Sequence, residues 1–281
     1  MDLILEPGRA EKNYWRDLWR YRELFIILAW RDVTVRYKQT VIGVAWAVIR
    51  PFLTMVVFTI VFSKIAKLPA PAAVPYSLLV MAAMLPWQFF ATALTESSNS
   101  LISNANLISK IYFPRLIVPA GSVITSFVDF LITLGLMALL MIWYQYAPDW
   151  RVFLLPAFMT LAFGASFGIG LWLCALNVEY RDFRYIVPFI VQFGLYVSPV
   201  GFSSNVVPAV WHWHDVDIPA RLLYSLNPMV GVIDGFRWCL LRGQSPLDIP
   251  ALLASGLLTL ALCASGVCYF RKMERTFADV I

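Results

Sequence analysis

Leu116-Ile-Val-Pro-Ala-Gly-Ser-Val-Ile-Thr-Ser-Phe-Val-Asp-Phe-Leu-Ile-Thr-Leu-Gly-Leu-Met-Ala-Leu-Leu-Met-Ile-Trp-Tyr144 carries one charged side chain, Asp129. A helix needs about 20 mostly apolar residues to cross the hydrocarbon core of a bilayer. This stretch exceeds that length and predicts a transmembrane helix. Working outward, comparable stretches occur at Val41–Phe62, Tyr76–Thr95, Phe153–Leu176, Ile186–Phe202 and Ile249–Phe270. The sequence therefore predicts an all-α integral membrane protein with six transmembrane helices. Residues 1–40 form a cytoplasmic N-terminal segment, and residues 41–281 form one transmembrane domain. Arg50-Pro51 interrupts the first span, with Arg50 close enough to its end to snorkel and Pro51 placed to kink it.

Composition agrees. Of 281 residues, 60% are hydrophobic and 14% charged, against roughly 25% charged in soluble domains. Mean hydropathy is +0.72. The net charge of +5 would suit nucleic acid in a soluble protein. Here the basic residues cluster beside apolar spans, so membrane topology accounts for them and no nucleic-acid partner is expected. The cysteines Cys174, Cys239, Cys263 and Cys268 form no C-x-x-C pair and read as packing residues. No cleavable signal is expected in the charge-rich first forty residues.

With the N-terminus inside, Arg9, Lys12, Arg16, Arg20, Arg22, Arg31, Arg36, Lys38, Lys110, Arg115, Arg181, Arg184, Arg271, Lys272 and Arg275 are cytoplasmic. Lys64, Lys67, Arg151, Arg221, Arg237 and Arg242 are outside. This asymmetry places both termini in the cytoplasm.

Trp15, Leu18, Trp19, Arg22, Phe25 and Leu28 recur at three- and four-residue steps, with Arg16, Arg20 and Arg31 around them. That pattern fits an amphipathic helix lying in the membrane interface, or a helix packed on a partner. Between the last two spans, Pro219–Leu226 and Met229–Leu241 each read as a short helix. Asn227 caps the second, Pro228 starts it and Gly243 ends it. Too short to span, this periplasmic pair is expected as a re-entrant or interfacial hairpin before the last span.

The motifs narrow the chemistry. A P-loop needs Gly-Lys followed by Ser or Thr. None of Lys12, Lys38, Lys64, Lys67, Lys110 and Lys272 sits in that context. The chain is therefore not expected to hydrolyse ATP, and any ATP binds another chain. No catalytic, cofactor-binding or metal residue is assigned. Trp211-His-Trp-His-Asp215 with Asp217 holds zinc-type ligands, but tryptophan at a headgroup boundary explains the segment. Asp129 either lines a polar path or bonds a Ser or Thr of a neighbouring helix. Tyr185, Phe189, Phe193 and Tyr196 share a face beside Gln192, and Phe58 and Phe62 lie one turn apart. Such rings either stack on sugars along a path or simply pack helices. Gly164 and Gly168 form a G-x-x-x-G step, with Gly170 and Ala175 following, that permits close helix approach. In Ser97–Arg115, Leu101, Ile102, Leu107, Ile108 and Ile111 alternate with polar residues. An exposed amphipathic helix of this kind wants an apolar groove, and ordinary loop chemistry is the alternative.

Taken in order, Tyr21-Arg-Glu-Leu, Trp30-Arg-Asp-Val-Thr-Val-Arg-Tyr-Lys-Gln-Thr, Gly43-Val-Ala-Trp46, Pro51 and Pro86-Trp-Gln-Phe-Phe begin a recognisable series. It continues through Ser103-Asn-Ala-Asn-Leu-Ile-Ser-Lys, Phe113-Pro-Arg, Pro119, Asn177-Val-Glu-Tyr-Arg-Asp, Val187-Pro-Phe, Ser198-Pro-Val and Asn227-Pro. The ordered set resembles the membrane permeases of type-2 ABC exporters of polysaccharides, the O-antigen, teichoic-acid and capsule exporters. The resemblance covers nearly the whole chain. It implies a homodimer with two copies of a separate ATPase, which holds ATP and Mg²⁺, in the bacterial cytoplasmic (inner) membrane. It implies a coupling helix over Ser100–Tyr112, with Ser103, Asn104, Asn106, Leu107, Ile108, Lys110 and Tyr112 facing the ATPase. A second contact would come from Glu179, Arg181 and Asp182. It also implies an amphipathic gate helix before the first span. Interfacial electrostatics would let Arg16, Arg20, Arg31 or Arg36 draw in an anionic lipid linker. The path for a lipid-linked glycan would be lined by Phe58, Phe62, Phe189, Gln192, Phe193 and Tyr196. Export of another lipid-linked or amphipathic cargo, such as a drug, is the alternative. A membrane enzyme or an ion-coupled carrier would need more convergent titratable groups than the sequence offers.

Overall fold

The computed structural model describes residues 14–38, 43–69, 71, 74–180, 182–208, 210–213, 216–274 and 277. Helices dominate it. Two helices, α1 (Tyr14–Arg20) and α2 (Arg22–Lys38), precede α3 (Gly43–Phe58), which continues as a π-helix over Thr59–Ile65. Then come α4 (Tyr76–Ser103), α5 (Ala105–Ile108), α6 (Ile117–Trp143), α7 (Leu155–Glu179) and α8 (Phe183–Val197). A small antiparallel ribbon pairs β1 (Trp211–Trp213) with β2 (Val216–Ile218). The chain ends through α9 (Ala220–Tyr224), α10 (Pro228–Leu240) and α11 (Ile249–Met273).

Among the described residues, five helices are long and apolar enough to cross a membrane: Ala45–Ile65, Tyr76–Ser103, Ile117–Trp143, Trp150–Glu179 and Ile249–Met273. The expected fifth span, Ile186–Phe202, is shorter than the sequence reading: α8 covers 15 residues and stops at Val197. Pro199 is the physical reason. The residue before a proline is pushed out of the helical region, and Ser198 is extended at ψ 151°. Pro51, by contrast, sits inside α3 without ending it.

The centre of the bundle is α4, buried along most of its length. It packs on α6 and α7, and α10 lies against it. The G-x-x-x-G expectation is met at the α7–α11 contact. A Cβ on Gly168 would lie 2.6 Å from the Cys263 backbone, and one on Gly266 would lie 2.3 Å from the Gly168 carbonyl oxygen. Without side chains there, the backbones approach closely and gain dispersion contacts. The cap reading also holds, since Asn227 accepts from the Met229 amide at 3.0 Å. Gly243 follows α10 at φ +70°, where glycine avoids the Cβ penalty.

Candidate functional site

The sequence places an exposed amphipathic segment at Ser97–Arg115. The structure corrects this. The α4 helix runs on to Ser103, eight residues past the expected Thr95, and Ser97, Ser98, Ser100 and Leu101 are buried. Hydroxyls that would otherwise demand water bond back to the helix. Thr95 Oγ1 donates to the Ala91 carbonyl at 2.8 Å, Ser98 Oγ to Thr95 at 2.9 Å and Ser100 Oγ to Ser97 at 2.7 Å. Such local bonds let a polar run sit inside a bundle. Asn177 Nδ2 of α7 reaches the Ser98 carbonyl at 3.0 Å and Asn99 Oδ1 at 3.1 Å.

The exposed segment therefore shrinks to the turn around α5. Ser103, Asn106, Lys110, Ile111 and Tyr112 are exposed, Asn104 and Leu107 are half-buried and Ile108 is buried. The expected coupling helix over Ser100–Tyr112 is thus the last turn of α4, a break at Asn104, the four-residue α5 and the irregular chain after it. Beside it, Glu179 and Asp182 are exposed at the α7–α8 junction. Arg181 lies outside the described residues.

The expected amphipathic stripe also divides. Leu18 and Phe25 pack against the core and Leu28 is buried, whereas Trp15 and Trp19 are exposed. The chain breaks between α1 and α2 at Tyr21, so a pattern spaced for one continuous helix cannot keep one face. Exposed Ile26, Ile27 and Trp30 make α2 apolar on its outer side as well.

Between α2, α4 and α6 lies a polar cavity of about 410 Å³. Arg31, Arg36, Glu96, Ser100, Asn104 and Thr125 line it. Arg31 Nη2 donates to Asn104 Oδ1 at 2.7 Å and pairs with Asp32 at the same distance. Arg36 spans two acids, with Nη2 at 3.6 Å from Glu96 and Nη1 at 3.3 Å from Asp129. Tyr37 donates a short hydrogen bond to Asp129. Burial, and then Asp129, push the Tyr37 hydroxyl well above the usual tyrosine range. Among the described residues, the Asp129 carboxylate is held by Arg36 and Tyr37 and not by a Ser or Thr of a neighbouring helix. It anchors the α2 helix instead, through Arg36 and Tyr37. Glu96 is a member the sequence reading missed, because it falls just past the expected end of its span.

Of the residues expected along a path, Phe58, Phe62 and Tyr196 come together. The Phe58 centroid lies 5.4 Å from Phe62 and 6.3 Å from Tyr196. Phe189 and Phe193 pack 4.1 Å apart, and with Gln192 and Tyr196 they are exposed on α8. Gly201 lets the Phe62 ring in, since a Cβ there would stand 2.3 Å from it.

Arg237 on α10, which the sequence places in an outer segment, is the largest fully buried side chain among the described residues. It donates to the carbonyls of Leu79 at 3.2 Å, Phe202 at 2.7 Å and Val200 at 3.0 Å. Asp234, one turn earlier on the same helix, is also buried. The i, i+3 spacing of the two was the available signal. Nearby, His214 and Asp215 of the zinc-type segment lie outside the described residues. Among the described residues no cluster of His, Cys, Asp and Glu has metal-binding geometry.

These features define a multi-pass membrane protein with a charge-lined cavity between α2, α4 and α6 beside the α5 turn. Residues 23–241 match the ABC-2 type transporter family, and the chain belongs to it. It is similar to the "O-antigen export system permease protein RfbA" of Myxococcus xanthus, 26% identical over 267 residues, 95% of this chain and 98% of that protein. Two proteins of the same name from Klebsiella pneumoniae are 25% and 26% identical over 264 residues, 92% of this chain and 95% of each. Membership makes the chain a permease of an ABC transporter, a family whose membrane subunit works with a partner ATPase.

Proposed function

We propose that this chain is the channel-forming subunit of an ATP-driven exporter that moves a lipid-linked polysaccharide across the cytoplasmic membrane. The observation that carries the reading is the likeness to O-antigen export permeases along 95% of the chain. Two copies form the channel, and two ATPase subunits bind ATP and Mg²⁺. The α8 helix serves as a sixth, short span, and α9 with α10 form a re-entrant hairpin on the outer side. Both termini face the cytoplasm, with residues 1–40 as the gate segment and 41–281 as the transmembrane domain. Exposed Phe189, Gln192, Phe193 and Tyr196, beside Phe58 and Phe62, suit a glycan path.

The α5 turn docks in an apolar groove of the ATPase through Leu107, Ile111 and Tyr112, with Ser103, Asn104, Asn106 and Lys110 around them. Buried Ile108 supports the turn from behind. Glu179, Arg181 and Asp182 make the second contact. Arg16 and Arg20 are exposed and meet the anionic linker first. Arg31 and Arg36 are held by Asp32, Asn104, Glu96 and Asp129. They join only when α2 lets go of α4 and α6.

The test is affinity purification of tagged chain from native membranes, beside a Leu107→Arg, Ile111→Arg variant. Ile111 is exposed and Leu107 only half-buried against the core, whereas Ile108→Arg would bury a charge. A stoichiometric ATPase that accompanies the wild type and is lost from the inserted variant supports the reading. Wild-type chain that emerges alone under mild extraction removes it.

A further inference from the structure

The last turn of α11 closes on two elements distant from it in sequence. On one side it grips the chain leaving α5. The Arg115 amide donates to Glu274 Oε1 at 2.7 Å, and Arg115 Nη1 donates to the Glu274 carbonyl at 2.5 Å. The same guanidinium lies 5.9 Å from the Phe277 ring, and Phe277 packs edge-on against Phe270 at 5.3 Å. Both phenylalanines are buried, so the grip is seated in the core.

On the other side it holds α1. Arg271 lies 4.7 Å from the Tyr14 ring and 6.0 Å from Trp15. The Tyr14 hydroxyl faces the Glu274 carboxyl and the Leu116 amide and completes a hydrogen bond with neither. Tyr14 is the one buried side chain of the seven-residue α1 among the described residues. With half-buried Leu18, Tyr14 seats α1 on the bundle. Tyr112, exposed at the end of the α5 turn, also feels Glu274 and Asp17 of α1.

We propose that Glu274 is a positioning residue that carries movement of the α5 turn to the α1 helix. The inference rests on the exporter reading, in which the ATPase moves that turn. A displacement of Arg115 acts on Glu274 through two hydrogen bonds. The end of α11 passes it to Tyr14 through Arg271, whose guanidinium lies over the Tyr14 ring. The shared element with two attachments gives a physical route for coupling, and its strength sets how strongly ATP binding biases α1.

The experiment uses the chain in complex with its ATPase. It compares wild type, Glu274→Ala, Glu274→Gln and Arg271→Met. Three quantities are read: ATP hydrolysis, glycan export in cells, and hydrogen exchange of residues 14–20 with and without ATP. In wild type, ATP changes exchange in α1. In Glu274→Ala and Arg271→Met that response is lost and export falls about tenfold, while ATP hydrolysis stays within about twofold. Glu274→Gln keeps acceptor oxygens for Arg115 and retains most of the response. Should Glu274→Ala not accumulate, Arg271→Met decides, since it leaves both Arg115 bonds in place. An α1 response and export like wild type in both variants overturn the proposal. So does a parallel loss of assembly and ATP hydrolysis, which marks a merely structural role. Wild-type chain that binds no ATPase overturns the exporter reading itself, and this inference with it.

Discussion

Replacing Gly168 by alanine tests the packing argument with the least chemical change. The new Cβ would stand 2.6 Å from both Cys263 Cα and Cys263 N, where ordinary contact begins at 3.4 Å. Closing that gap requires α7 and α11 to part locally by roughly 0.8 Å, the difference of the two distances. Backbone cannot swing aside as a flexible side chain can. Overpacking of this kind costs about 1–3 kcal/mol. Gly256 on the same α11 helix is the internal control, because its Cβ would meet nothing within 4 Å. Alanine there restricts the unfolded chain and stabilises by about 0.4–1 kcal/mol. The two substitutions thus have opposite signs and differ by about 1.4–4 kcal/mol, the sum of the two ranges. At about 2–4 °C per kcal/mol for a chain of this order of size, they separate by several degrees. Thermal unfolding followed by size-exclusion chromatography in one detergent measures this directly. Equal midpoints, or a Gly168→Ala protein more stable than Gly256→Ala, would refute the close-approach argument.

Arg237→Met leaves the buried Leu79, Val200 and Phe202 carbonyls without their donor, at about 1–3 kcal/mol for each. Thermal unfolding measures the loss, and an Arg237→Met midpoint equal to wild type would contradict it. Asp129→Asn with Glu96→Gln frees Arg36 and weakens the Tyr37 bond. The pairs are partly exposed, so the loss is about 1 kcal/mol, read as roughly fivefold faster hydrogen exchange in residues 31–38; unchanged exchange counts against the latch. Glu274 supplies a pH dependence. Burial, outweighing Arg115 and Arg271, raises its carboxyl above the ordinary range, with Tyr14 and Tyr112 as neighbours. A raised carboxyl favours the folded state fully below its unfolded pKa, and that contribution fades as pH rises through the folded value. Protection of residues 270–274, with the intrinsic pH dependence of amide exchange divided out, is therefore greatest in mild acid and falls towards neutral pH, and Glu274→Gln flattens that profile.

Much of this protein was legible in one dimension. Long apolar runs, low charge and the missing P-loop lysine depend only on which residues follow which. Lipid cannot satisfy a bare backbone, so composition and length alone specify helices there. Asn227-Pro228 and the glycine step at 164–168 are likewise local, because a cap and a close approach are set within a turn or two. The ordered motifs that resemble exporter permeases were visible for the same reason.

What needed three dimensions was partnership. Ser97, Ser98 and Ser100 look solvent-facing in sequence, yet they lie inside the bundle, because their hydroxyls bond back to α4 and Asn177 arrives from α7. Arg237 looks like an outer-loop cation until the folded chain brings three carbonyls to it. Asp129 seems isolated until α2 delivers Arg36 and Tyr37. Glu274 and Arg115 stand 159 residues apart. A charge or hydroxyl is costly in lipid only while unpaired, and the pairing belongs to the packed helices. Sequence therefore determined that the chain enters a membrane as helices, and the tertiary structure alone decided which polar groups could remain there.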